Sequence, residues 1–449
     1  MLEFLPIIFS SLFGLIAGII AGTLPGLGIL ATVLCSIPIL TEFTATQILT
    51  FYISLIISSQ YFGSVMATFF GVPGEITSLP ATAAGYPFQK KNKAILAILI
   101  AAIGSLFATI FTVIFLNANM QWIQKQTWVF SNKVQLAFCC LVIFYLIFSD
   151  KKYLQNVTLI FFGLVLGTIG NIHYEPRYNY TLGISSLSLG IDKNFIILMC
   201  FVVPQLFLHT KNNKIHNTSH PQYKKSFLLY HVDALCLWFK LKRSWLRGSI
   251  MGCVSGLLPS VGTSMSSNFS YTLEKSFTKR KSLHLMSAES ANNSAMITSL
   301  VPLILFGLPI VASEAVILTL MNSKGLPVGL NWFMSTEHNI SKLQILIIFS
   351  LAISCVSYVL ATNFAFTLAK LAMRVPVWFQ KYAIPCLLFF IFLYMSHRDS
   401  NMPGSLTTIA IATPLMVYAI RNKINTLPLI FAMLLAQTTF ERIIVVFSL

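Results

Sequence analysis

The sequence predicts an all-α polytopic membrane protein built as two inverted-topology repeats, each a Pro/Gly-broken helical region followed by about four transmembrane helices. Three observations carry that prediction. The composition is apolar and poor in charge, the basic residues gather in alternate loops, and two pairs of proline-glycine breaks recur at matched spacing.

Of the 449 residues, 56% are hydrophobic and 10% charged, with a mean hydropathy of +0.78; a soluble domain carries about a quarter charged residues. Apolar runs long enough, with their flanks, to cross a bilayer recur at 94–116, 134–148, 195–208, 344–368 and 387–395. An earlier run starts a few residues after Met1 with no basic segment ahead of it. More spans follow, so it reads as a retained span and not a cleaved leader. The net charge of +17 does not point to nucleic acid, because the charges sit in loops between spans. The eight cysteines show no CxxC spacing and no paired histidines, so no metal site is expected.

Assigning loops by alternation gives one set with 22 of the 30 lysines and arginines and another with eight. Cytoplasmic loops are the basic ones. The N-terminus and the C-terminus then lie outside, and the chain divides into a first repeat (1–210), a basic cytoplasmic linker (211–247) and a second repeat (248–449) that begins from the opposite side. The breaks support the division. "GTLPGLG" starts at Gly22 and "GVPGEITS" at Gly71; "GLLPSVG" starts at Gly256 and "GLPIVAS" at Gly307. The separations are 49 and 51 residues, in the same order.

Proline removes a backbone N–H and glycine tolerates positive φ, so these stretches unwind their helices. Unwound backbone persists in a membrane only where it is buried in protein or lines a wet cavity. In inverted-repeat transporters such breaks form the substrate site, with helix N-termini toward anions and freed carbonyls toward a coupling cation. Polar residues accompany them, in "ISSQYFGSVMATFFGVPG" and in "SAESANNSAMITSLVPLILFGLP". The candidate substrate-binding residues are Pro25, Gly26, Gly28, Ser64, Pro73, Gly74, Asn292, Asn293 and Pro309. The candidate coupling-ion residues are Gly22, Asn292, Glu289 and Gly307, with Na⁺ or H⁺ as the ion and no other cofactor. The amide pair Asn292–Asn293 is the sharpest feature, since amides at the start of a span need partners.

At these residues the chain resembles the TctA-type large permease subunit of the tripartite tricarboxylate transporters. "GTLPGLG", "YFGSVMATFFGVPG", "AAGYPFQKK", "GTIGNIHYEPRYNYTLGISSLSLGID", "GLLPSVGTSMSSNFSYTLEK" and "AESANNSAMITSLVPLILFGLP" follow that pattern in order. The resemblance implies a multi-pass permease of the bacterial inner membrane, carrying tricarboxylates or related organic anions. It also implies a periplasmic solute-binding protein and a small membrane subunit as partners. The chain departs from the pattern at Phe62, Gly71, Ala84, Asn171, Ser260 and Ile310, and neither break of the second half has glycine directly after proline. Those departures keep a non-transporting membrane scaffold as an alternative. An intramembrane enzyme is a further one, with His397, Arg398 and Asp399 as its only dense cluster, but no partner nucleophile accompanies them. No nucleotide-binding motif is present, which argues against an ATP-driven pump within this chain; the reading is a secondary carrier and not an enzyme.

Overall fold

A computed structural model describes residues 5–24, 27–71, 76–125, 131–148, 152–168, 227–257, 262–307, 309–324, 337–372, 374–375 and 427–447, with single positions at 386, 390, 414, 418, 422 and 424. Everything regular among these residues is helical. Among the described residues three helices are long and apolar enough to cross a membrane: Leu5–Thr23, Ala45–Phe70 and the 94–119 part of a longer helix. His397, Arg398 and Asp399 lie outside the described residues.

The chain opens with α1 (Leu5–Thr23), α2 (Gly28–Leu40) and α3 (Ala45–Phe70). Helix α1 has two faces. Leu5, Ile8, Phe9, Leu12, Ile16 and Ile20 are exposed, whereas Ser10, Gly14, Gly18 and Gly22 are buried against α3. Apolar groups outward and small or polar groups inward is the pattern a bilayer imposes, because helices there associate through close packing and hydrogen bonds. Helix α3 begins with a capping box: Thr44 N–H donates to Gln47 Oε1 at 2.8 Å, and Gln47 N–H donates back to Thr44 Oγ1 at 3.5 Å. It ends at Gly71, whose φ of 67° is the left-handed conformation that glycine adopts without a Cβ penalty. A 3₁₀ turn (Ile76–Ser78) and α4 (Leu79–Gln89) then fold the chain back on α3, with Tyr86 beside Gly71 and Gly85 beside Thr68.

After α5 (Ala94–Lys125), α6 (Asn132–Ile147) and α7 (Tyr153–Thr168), the description resumes with α8 (Phe227–Ser255), α9 (Gly262–Phe277), α10 (Lys281–Phe306) and α11 (Ala312–Ser323), followed by α12 (Glu337–Asn363), α13 (Ala365–Ala372) and α14 (Leu427–Phe447). The stretch read as a linker contributes the first turns of α8, which continues without interruption through Arg247. Those turns carry Trp238, Trp245, Lys240, Lys242, Arg243 and Arg247, the aromatic and basic mixture favoured where a helix leaves the hydrocarbon.

A stripe of three glycines recurs. A β-carbon on Gly14, Gly18 or Gly22 of α1 would meet the carbonyls of Phe51, Leu55 and Ser59 on α3. A β-carbon on Gly248 or Gly252 of α8, or on Gly256 just past its end, would meet those of Ser287, Ala291 and Ala295 on α10. The glycines are related by a shift of 234 residues and their targets by 236. Gly307, which ends α10 with φ 63°, is Gly71 shifted by the same 236. Helix order and helix pairing recur with them: α1 lies on α3 as α8 lies on α10, α2 lies on α11 as α9 lies on α4, and α3 lies on α12 as α10 lies on α5.

Candidate functional site

Helices α3 and α10 end at the two left-handed glycines and meet in the interior. They are also where side-chain polarity is concentrated and buried. Ser64 Oγ donates to Glu289 Oε2 at 2.7 Å across this contact. Glu289 Oε1 is buried with no hydrogen-bond partner. Beside it is a cavity of about 10 Å³ lined by Tyr61, Ser64, Ser105 and Glu289 together with Val65, Ile98, Ala101, Ala102 and Ala361. One turn along α10, Asn293 Nδ2 donates to Ser105 Oγ of α5 at 2.7 Å and to its own helix at Glu289 O, 3.1 Å. Tyr61 is held by Ser354 of α12, 2.7 Å between the two hydroxyl oxygens.

A second polar group lies on the same contact. Asn292 Nδ2 donates to Gln60 Oε1, which also accepts from Thr77 Oγ1 at 3.1 Å. Thr77 belongs to the 3₁₀ turn that follows the break of the first half. Gln60 Nε2 and Asn292 Oδ1 are left as a donor and an acceptor without partners, and the hydroxyls of Thr68, Ser78 and Ser294 are also buried and unpartnered. Each such orphan costs about 1–3 kcal/mol relative to a satisfied group. Several of them fall together on α3, α10 and the turn after α3, and this makes the α3–α10 contact the candidate site.

The break after α10 is built differently. Glu314, in the first turn of α11, turns back so that its Oε2 accepts from the backbone N–H of Ile310 at 2.6 Å and of Val311 at 3.2 Å, while Oε1 accepts from Ser299 Oγ at 2.7 Å. A carboxylate at a helix N-terminus satisfies amides that otherwise lack acceptors. Among the described residues, the amides freed at this break are therefore held by the protein's own acid.

The structure brings Ser64, Glu289, Asn292 and Asn293 together. Gly28 starts α2 with φ 61° and open space around its α-carbon, Gly22 lies in the glycine stripe, and Gly307 and the buried Pro309 form the Glu314-capped break. Pro25, Gly26, Pro73 and Gly74 lie outside the described residues. Ser105, Thr77 and Glu314 were not among the sequence candidates. Gln60 stood in the polar run of α3 but was not assigned a role.

The chain is similar to an "Uncharacterized 52.8 kDa protein in TAR-I ttuC' 3'region" of Agrobacterium vitis, 27% identical over 304 residues, which is 66% of this chain and 60% of that protein. No solved structure matches. The model of the tripartite tricarboxylate transporter TctA family matches residues 8–431. Nearly the whole chain, with its buried polar contact between two broken helices, is thereby placed: it belongs to the TctA family of tripartite tricarboxylate transporters.

Proposed function

We propose that the protein is the permease subunit of a secondary active carrier for tricarboxylates or related organic anions in the bacterial inner membrane. It is coupled to Na⁺ or H⁺ and works by alternating access of two inverted halves about their broken helices. One observation carries this reading: the α3–α10 contact buries Gln60 Nε2, Asn292 Oδ1 and Glu289 Oε1 without partners, beside the break at Gly71. An unpaired donor and acceptor at the centre of a membrane protein are retained where a solute completes their bonds. The substrate carboxylate takes the free donor of Gln60, a donor group of the same solute completes Asn292 Oδ1, and Glu289 serves the coupling ion. Family membership supports a periplasmic solute-binding protein and a small membrane subunit as partners.

The test is accumulation of labelled citrate by proteoliposomes holding the chain with its two partner subunits, under an imposed Na⁺ or pH gradient. Accumulation is expected, and Asn293→Ala, which removes the bond to Ser105, should abolish it while leaving folded protein in the membrane. Failure to move any carboxylate under either gradient favours a membrane scaffold of the same fold.

A further inference from the structure

We infer that the coupling ion is a proton carried on Glu289 Oε1, an assignment that rests on the carrier reading above. The geometry separates a proton from a metal cation. A hard cation that sheds its water needs a shell of oxygens in return. The cavity at Glu289 has four polar residues, too few to replace such a shell, and two of them are already engaged elsewhere: Ser105 Oγ accepts from Asn293, and the Tyr61 hydroxyl is bound to Ser354. The rest of the wall is Val65, Ile98, Ala101, Ala102 and Ala361, which carry no side-chain ligand. At about 10 Å³ the cavity is at the lower limit for a single water.

No compensating cation faces the carboxylate among the described residues. From α3 the facing titratable group is Tyr61. From α5 the facing polar group is Ser105, and α12 contributes Ser354 through Tyr61. Arg247 of α8 is held in a two-pronged pair with Glu274 of α9, at 2.7 and 3.0 Å. His284, on α10 itself, bonds the carbonyl of Thr278 at 2.7 Å, and none of the residues lining the cavity comes from α4. A lone buried carboxylate with one hydroxyl donor is best neutralised by a proton. Oε1 takes that proton from hydronium reaching the cavity from one side, leaving water, and returns it to water on the other. The state of Glu289 reaches the solute through its own helix face, since Asn292 and Asn293 lie three and four residues further along α10.

The experiment reads two activities of the same vesicles: exchange of labelled for unlabelled citrate with no gradient, and net citrate uptake under a gradient. An inward pH gradient in sodium-free choline buffer is expected to drive net uptake, and a Na⁺ gradient at equal pH is not. Glu289→Gln should lower net uptake at least about tenfold more than it lowers exchange. Net uptake driven by Na⁺ alone, or equal loss of both activities in folded Glu289→Gln protein, overturns the inference while leaving the carrier reading standing. Absence of exchange in the unaltered protein overturns both. Should Glu289→Gln not be recovered folded, Ser64→Ala decides: it removes the hydroxyl on Oε2 without changing the charge. It must then shift the pH profile of net uptake, and an unshifted profile overturns the assignment.

Discussion

The seam between α1 and α3 and the seam between α8 and α10 follow one plan, and their differences fall at the candidate site. Under the shift of 236 residues the packing positions agree: Ser54 donates to Thr50 O at 2.8 Å, and Ser290 donates to Met286 O at 2.7 Å. The site positions do not agree. Glu289, Asn292 and Asn293 of α10 correspond to Ile53, Ile56 and Ile57 of α3, and Gln60 and Ser64 of α3 correspond to Met296 and Leu300 of α10. The breaks diverge at matched positions too. A β-carbon on Gly63 would sit 2.5 Å from Ser78 Oγ, and at the corresponding places Ser299 donates to Glu314. What repeats builds the scaffold, and what departs from the repeat builds the candidate site.

The largest effects should come from the repeated part. Gly18→Leu or Gly252→Leu drives a side chain into the facing backbone, at Leu55 and at Ala291 respectively. Overpacking of this kind against rigid backbone exceeds the usual 1–3 kcal/mol, so both variants should be lost from the monodisperse fraction on size-exclusion chromatography. If only one is lost, the two seams are not equivalent.

Glu314→Ala comes next. It frees the amides of Ile310 and Val311 and the hydroxyl of Ser299, and should cost about 2–4 kcal/mol, read as a fall of several degrees in thermal unfolding in detergent. Ser78→Ala, at the matching place in the first half, removes an unpartnered hydroxyl and should leave the midpoint within about a degree. Equal shifts in the two variants would erase the difference between the breaks.

Gly28→Ala should cost less than Glu314→Ala. Nothing lies within 4 Å of the added carbon, but φ is 61°, so the cost is backbone strain of about 1–2 kcal/mol. Thermal unfolding should register it as a small drop without loss of yield.

Much of this architecture is legible in the residues themselves. The apolar runs, the breaks and the polar stretches of α3 and α10 are local patterns, and Gly71 and Gly307 end their helices in the left-handed conformation expected of glycine at that place. The glycine stripes are also local, spaced four apart, and a search for small residues at helical spacing finds them. Ser105 and Thr77 are different. Ser105 is a single hydroxyl among apolar residues and Thr77 lies in a short turn, and Ser105 gains its meaning only from Asn293, 188 residues away. Glu314 reads as an ordinary acid in a helix's first turn until the chain is seen to bend at Pro309 and aim its amides at it. Side chains whose role depends on long-range apposition leave no periodic trace.

The central claim is that the departures from the repeat, not the repeat itself, make the anion site, and one measurement addresses it directly. Gln60→Met with Asn292→Ile writes into each half the residue that the other half carries at the matching position. Because both members of a bonded pair are replaced together, neither is left as a buried orphan, and the stability change should be small. The account predicts that this double variant is recovered from the membrane as folded protein with a near-normal unfolding midpoint, yet exchanges labelled citrate at less than about a tenth of the unaltered rate. Exchange at the unaltered rate by the folded double variant would contradict it.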